Sequence, residues 1–452
     1  MYLAKLNHYT GLYVELYPNE DKSINATLNA AQLAFNQNSY DKTIALLNRL
    51  PNNLPADLLY TANYTKARAL FETNNFSEAE SVFESSLELP QLSTKQRRTI
   101  EDNLALAVYR QAEQFRNDGE FEPAVRNLVR ISQLTPESQI AATALYDAIA
   151  LAMQNESWEN AIDFIQRFEK LYPQHKLSND VTKKLSVAYL KSNQQDKAAR
   201  EFERIASFEE NEETKKAALW QAAELYESKN DSEGAIRSYR SYAHTYKKPY
   251  ALNVEAMNKL AEIYGKRGET QKRNFWLLKL AESDQYVPDK EKTERTVFLA
   301  AQSALILARQ TQQQFEQSKL KAPLQANLRK KKQLMQDSIK HFGKASSFGL
   351  SDITTEATYA IAKIYQNFAK ALLESERPNN LSADELEQYE ILLEDQAFPF
   401  EDKAIEFYET NISRTRDGLS NDWLNKSHDE LAKLFPVRYA RKGKSGGYFE
   451  SN

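Results

Sequence analysis

The chain has 452 residues, of which 41% are hydrophobic and 27% charged, and its 59 basic and 63 acidic side chains leave a formal net charge of −4. That balance lacks the basic excess a nucleic-acid track requires, and the absence of cysteine excludes disulfides, thiol catalysis, zinc–thiolate sites and a lipoprotein acylation site. With only 11 glycines and 13 prolines, the chain is short of the turn residues that β architecture of this length consumes, so an all-α fold is expected.

In chain order, the opening Met1-Tyr2-Leu3-Ala4-Lys5-Leu6-Asn7-His8-Tyr9 lacks the basic-then-apolar order of a secretory signal, and no apolar run is long enough for a transmembrane segment. Residues 1–22 read as a lead-in or a fragment boundary. From 23 to 283 an alanine or its substitute recurs about every 37 positions, at Ala79, Ala124, Ala161, Ala198, Ala235 and Arg273, with Thr43 in that place in the first unit. Four residues after each stands a large apolar side chain: Leu47, Phe83, Leu128, Ile165, Phe202, Tyr239 and Leu277. Leu70, Phe115, Tyr189, Tyr226 and Tyr264 precede their alanine-type residues by nine. Small residues set against large ones at this period predict seven antiparallel helix pairs that stack on one another. Polar breaks such as Asn74-Asn75, Asn117-Asp118-Gly119, Asn193-Gln194-Gln195 and Asn230-Asp231-Ser232 mark the turns within pairs. Prolines 51, 90, 136, 173 and 249 mark turns between them.

Beyond 290 the period fails, and residues 290–350 read as one enlarged pair, Thr293 to Lys321 and Leu324 to Phe348. Residues 351–436 are expected to cap the stack. Within them, a helix near Thr354 to Ser375 is followed by one with Ser382 as N-cap and Glu385 at the capping-box position, and Pro399 is expected to break it. Two amphipathic helices, Glu401 to Arg416 and Ser420 to Leu434, complete the cap. Gly443-Lys444-Ser445-Gly446-Gly447 lies in a tail, 437–452, expected to be too flexible to pack, so the chain reads as a segment of a longer protein.

The residues of 23–283 resemble the tetratricopeptide repeat (TPR). Ala112, Phe115, Gly119, Phe121, Ala124 and Pro136 match its pattern nearly whole; Ala67, Leu70, Phe76, Ala79, Phe83 and Pro90 match closely, and Ala223, Tyr226, Ala235 and Tyr239 make a third. The spacing departs from the usual 34 residues and the glycine is generally lost. The resemblance implies a TPR-like α-solenoid, a right-handed superhelix of antiparallel helix pairs, with longer irregular helices at the C-terminal end. The ending Phe168-Glu169-Lys170-Leu171-Tyr172-Pro173 is similar to those of bacterial cell-envelope TPR proteins of outer-membrane assembly and the Tol-Pal system. It implies the bacterial periplasm or cell envelope with an export signal removed; a cytoplasmic location is the alternative.

In the TPR pattern the first-helix position fifteen residues before the alanine faces the concave groove, which here gives Tyr64, Tyr109, Tyr146, Lys183, Trp220 and Asn258. Rigid amphipathic rings add contact area at small entropic cost, so this ladder suits an extended or helical segment of a protein partner. Its neighbours Arg68, Phe71, Arg116 and Glu224 complete the expected groove, with the arginines orienting acidic groups of the partner. A register error of one residue would turn the same rings into core. The run Arg329-Lys330-Lys331-Lys332 and the carboxylates Glu209, Glu210, Glu212 and Glu213 read as solvated faces.

His8, His175, His244, His341 and His428 are scattered, with no metal-binding pair, no phosphate loop and no hydrolase signature around any carboxylate pair. The expectation is a non-enzymatic scaffold without cofactor or metal that binds a protein or peptide segment, with envelope-complex partners among the candidates, no nucleic acid and no transmembrane segment. Two alternatives stay open: an architectural spacer within a larger multidomain protein, and an accessory repeat region of an enzyme whose catalytic domain is encoded elsewhere. The sequence fixes no oligomeric state.

Overall fold

The computed structural model describes residues 20–51, 53–378 and 381–440, with 9, 12, 13, 16 and 17 before them. The described residues hold twenty α-helices and no strand, the arrangement of an all-α solenoid built from consecutive packed helices. They fall into two compact units, one ending at Lys229 and the other starting at Asn230. Most of the expected lead-in over 1–22 lies outside the described residues.

In the first unit, five helix hairpins follow one another: α1 (Asp21–Asn36) with α2 (Tyr40–Leu47), α3 (Ala56–Glu72) with α4 (Phe76–Leu87), α5 (Thr94–Asn117) with α6 (Phe121–Leu134), α7 (Ala141–Gln154) with α8 (Trp158–Leu171), and α9 (Ser178–Lys191) with α10 (Gln195–Phe208). Helix α11 (Glu212–Ser228) ends the unit. Ala79, Ala124, Ala161 and Ala198 are all fully buried, and Phe83, Leu128 and Ile165 lie buried one turn on. A methyl side chain there lets the second helix approach the first closely. Thr43 fills the same place, and its hydroxyl donates to the Ser39 carbonyl at 3.0 Å, which removes the cost of a buried polar group.

The turn within each hairpin follows one design. Asn38, Asn74, Gly119, Glu156 and Asn193 each take a positive φ, between 55° and 79°. The next residue's N–H then reaches back five residues: Asn75 to the Leu70 carbonyl, Glu120 to Phe115, Ser157 to Ala152 and Gln194 to Tyr189. This is the Schellman closure, which satisfies carbonyls that a helix end leaves orphaned. Asparagine and glycine accept the left-handed conformation readily; Glu156 does not.

The Phe168-to-Pro173 ending has a packing role in the turn between hairpins. Phe168 is fully buried, and the Tyr172 and His175 rings meet it edge-on at centroid distances of 5.5 and 5.8 Å.

The second unit contains α12 (Ser232–Thr245), the hairpin α13 (Tyr250–Lys266) with α14 (Thr270–Ser283), the long pair α15 (Glu294–Gln317) with α16 (Leu324–Ser346), then α17 (Ser351–Leu373), α18 (Ala383–Ser413), α19 (Asp422–Leu434) and α20 (Pro436–Tyr439). Arg273 takes the alanine place in α14, and its bulk is accommodated because α13 carries Gly265 opposite: a Cβ there would stand 3.3 Å from the Arg273 Cδ. Ser382 and Glu385 form the capping box at the start of α18. Pro399, however, does not break that helix, which runs without interruption from Ala383 to Ser413. Proline removes one backbone bond, but Leu393, Ala397 and Ala404 on either side of it are buried, and that packing outweighs the loss. Residues 437–439, expected in the flexible tail, belong to α20, where the Arg438 guanidinium pairs with Glu409 at 2.9 Å; residues 441–452 lie outside the described residues.

The basic run on α16 is not uniformly solvated. Lys331 is buried; its ammonium donates to the Phe315 and Ser318 carbonyls at 3.0 and 2.7 Å and stands 4.2 Å above the Phe315 ring. It therefore caps the C-terminal end of α15.

Glu430 ties α19 to α17. Burial alone would raise its carboxyl, but bonds from Lys433, Gln366 and Lys363 at 2.9, 3.1 and 3.1 Å outweigh this and hold it down at about 2.

Two outcomes are expected. Glu156→Asn should raise stability by about 0.5–1 kcal/mol by relieving the left-handed backbone, measured by denaturant unfolding. Because the Glu430 carboxyl is depressed from 4.5 to about 2, its contribution is complete above about 4.5 and lost as pH falls toward 2. Glu430→Gln should cost about 1–3 kcal/mol at pH 7 and flatten that acid loss in thermal melts between pH 5 and 2.5.

Candidate functional site

The expected ladder lies on the first helices of successive hairpins, and the structure resolves what each ring does. Tyr109 on α5 and Tyr146 on α7 are both half-buried. The Tyr109 hydroxyl donates to Asp147 Oδ2 at 2.7 Å, and the Tyr146 hydroxyl to Asp180 Oδ2 on α9 at 2.5 Å. Each phenol is thus bonded to a carboxylate of the following hairpin, and Asp147, next to Tyr146 in sequence, joins the two levels. Lys184 extends the chain: its ammonium stands 5.3 Å above the Tyr146 ring and 3.7 Å from Asp180. The result is a continuous polar–aromatic strip along α5, α7 and α9.

Electrostatics follow from this geometry. Burial first, then the bond to Asp147, pushes the Tyr109 phenol up to about 12, with Glu113 adding to the rise and Arg116 opposing it. Burial and Asp180 do the same to Tyr146, also to about 12. Both hydroxyls stay protonated donors over the whole physiological range. Arg116 itself is exposed at the end of α5, within electrostatic reach of Tyr109.

The other expected groove residues are placed differently. Tyr64 stacks on Tyr60 of its own helix at 5.8 Å and meets Phe83 edge-on at 6.3 Å, so it is partly core. Phe71 packs edge-on against Phe76 at 5.1 Å beside the hairpin turn and also belongs to the core rim. The Arg68 guanidinium lies 5.1 Å over the Phe35 ring of α1. Trp220 on α11 donates its indole N–H to Glu224 Oε1 at 2.7 Å, a bond within one helix. At the fourth ladder position Lys183 pairs with Glu209 at 2.6 Å, so Glu209 is an inter-helix anchor rather than a solvated charge. Tyr109 and Tyr146 therefore form one connected neighbourhood with Arg116 in electrostatic reach, whereas the contacts described for Tyr64 run to Tyr60 and Phe83, that for Arg68 to Phe35 and that for Trp220 to Glu224.

A concavity absent from the sequence reading lies along the second helices. Phe121, Val125 and Val129 of α6 face Phe164 of α8 across a cleft of about 910 Å³, with Glu122, Arg126 and Arg130 among its walls. Arg130 is ion-paired with Glu80 on α4, which anchors that wall. The signal for this cleft was legible: Phe121, Val125 and Val129 form an apolar stripe at spacing four beside the core stripe Ala124, Leu128 and Ile131.

No cluster of three or more metal-ligating side chains occurs among the described residues, and no helix among them is long and apolar enough to cross a membrane.

No family model matches the sequence, and no curated protein is similar to it. Among solved structures, the chain is similar to a chain of the Naa15/Naa10 complex bound to HypK-THB, with 13% identity and a TM-score of 0.30. That match covers 96% of this chain and 64% of the other, less than two thirds of its length. It is also similar to PilF of Pseudomonas aeruginosa, with 15% identity, a TM-score of 0.22, and coverage of 52% and 96%. The TPR domain of P58(IPK) matches with 12% identity, a TM-score of 0.23, and coverage of 81% and 94%.

The raised phenols give a direct test. Carbon-13 NMR of ring-labelled tyrosine should show Tyr109 and Tyr146 titrating near 12, and Asp147→Asn should move Tyr109 back toward 10 while leaving Tyr146 high. Because these pKa values are raised on folding, their stabilisation is complete below about 10 and lost as pH climbs from 10 to 12.

Proposed function

We propose that this protein is a non-enzymatic interaction scaffold that holds a segment of a partner protein along the first-helix face of its first unit. The observation that carries this reading is the strip Tyr109–Asp147/Tyr146–Asp180, in which ring orientation is fixed before any partner arrives. Rings already immobilised lose little entropy on binding, and the adjoining Arg116 and Glu113 offer charged groups to fix register. Trp220 with Glu224, and Tyr64 with Arg68 and Phe71, extend the proposed surface along α11 and α3. The setting we propose is a bacterial envelope complex in the periplasm, supported by the Phe168-to-Pro173 ending; a cytoplasmic site is the alternative. The apolar cleft between α6 and α8 is a second candidate surface, favoured by its volume and by the 38% exposure of Phe121.

The test is a quantitative pull-down from native-host extract with three baits of the whole 452-residue chain: wild type, Arg116→Glu with Trp220→Ala, and Phe121→Ser with Val125→Ser, each first shown by circular dichroism to be folded. A protein whose recovery falls about ten-fold with the first variant alone supports the first-helix face, as expected for loss of hot-spot contacts. Loss with the second variant alone moves binding to the cleft. Recovery unchanged by either sinks both surfaces.

A further inference from the structure

The helix α18 presents a face that is left exposed among the described residues. Leu393, Ala397, Ala404, Tyr408 and Asn411 are buried, and these positions share one side of the helix. On the other side Ile391 is 53% exposed and Phe398 61% exposed, with Leu392 at 53% on the flank. At 1.5 Å per residue, Ile391 and Phe398 stand about 10 Å apart on the same stripe, two turns of helix. Interleaved with them at spacings of three and four come Glu387, Glu394, Asp395 and Asp402, all exposed. The only basic residue of α18 is Lys403, which faces Glu406 at 3.7 Å, and Glu390 has the Arg377 guanidinium at 3.7 Å.

A face kept merely for solubility would be acidic without large apolar side chains, and a face kept merely for packing would be apolar without carboxylates. This one alternates both, which is the pattern of an interaction surface. Its charge selects the occupant. Carboxylates repel anionic lipid and nucleic acid, and they attract lysine and arginine placed around an apolar stripe.

We propose that the Glu387–Asp402 face of α18 docks a basic amphipathic helix of a partner protein, with the partner's apolar side chains on Ile391, Leu392 and Phe398 and its lysines or arginines on Glu387, Glu394, Asp395 and Asp402. This surface lies in the second unit and is independent of the first-helix face proposed above. The partner helix reads the face as helix-in-groove recognition does, through anchors one turn apart, while the charges set orientation and on-rate.

Fluorescence anisotropy with the full chain tests this. The probe is a labelled 18-residue peptide with leucines at helical spacing on one face and lysines on the other; its controls are the same peptide with glutamates for lysines and one with the pattern scrambled. The patterned basic peptide should bind, and the two controls should bind at least about ten-fold more weakly. Ile391→Ser/Leu392→Ser/Phe398→Ser should weaken binding by about ten-fold or more. Glu394→Gln/Asp395→Asn/Asp402→Asn should weaken it several-fold and flatten its salt dependence, while Arg116→Glu/Trp220→Ala leaves it unchanged. Equal binding by the serine variant and wild type would overturn the proposal, because the peptide would then be adsorbing by charge alone. It would equally fall if the scrambled peptide bound as well as the patterned one, or if sedimentation showed wild-type self-association abolished by the serine substitutions, which would make the face a contact between copies.

Discussion

Everything in the hairpins follows from how closely two antiparallel helices approach, and that is set at one residue per pair. A fully buried alanine on the second helix leaves the neighbouring backbone room, and the large residue one turn later fills the space on either side. The left-handed turn residue then closes the pair at fixed length, because the Schellman bond returns to the carbonyl nine residues ahead of the alanine, as from Asn75 to Leu70 and from Gln194 to Tyr189. Turn, contact and the first-helix residue that accepts the turn's bond are thus three parts of one geometric condition. Where the alanine becomes Arg273, the condition is kept by removing a side chain from the other helix at Gly265.

This condition explains why so much of the fold was legible. Alanine periodicity, polar turns and the Ser382–Glu385 capping box are local chemistry, and the helices form where that chemistry places them. The misreadings share a cause: each was decided by packing or pairing that the local sequence pattern does not encode. Pro399 reads as a breaker until buried flanking residues hold its helix together. Lys331 reads as one of four solvated cations until the end of α15 is seen to need a donor. Glu209 reads as a surface acid until Lys183 arrives from α9.

Of the candidate site, only the positions of the rings were legible. Position arithmetic placed Tyr109 and Tyr146 at equivalent points of successive hairpins, which the structure shows them to occupy. It did not reveal their acceptors, since Asp147 and Asp180 lie 38 and 34 residues further on and have no fixed offset in a repeat whose period varies. Nor did it separate Tyr64, whose ring turns toward Phe83, from rings that stand on the open strip.

Those acceptors alter what the ladder means. A hydroxyl bonded to the next hairpin contributes to stacking, so part of what looks like recognition chemistry is also nearest-neighbour adhesion of the kind that holds repeat arrays together. The two roles do not compete. The Tyr–Asp bonds already satisfy the half-buried polar tips, so a partner docked as proposed would meet rings whose hydroxyls need no new acceptor and whose rotamers are already fixed. A ladder of untethered tyrosines would present the same residues at a larger entropic cost. The tethering carboxylates are therefore as much part of the proposed surface as the rings, and the bonds that tie successive hairpins together also fix the orientation of those rings.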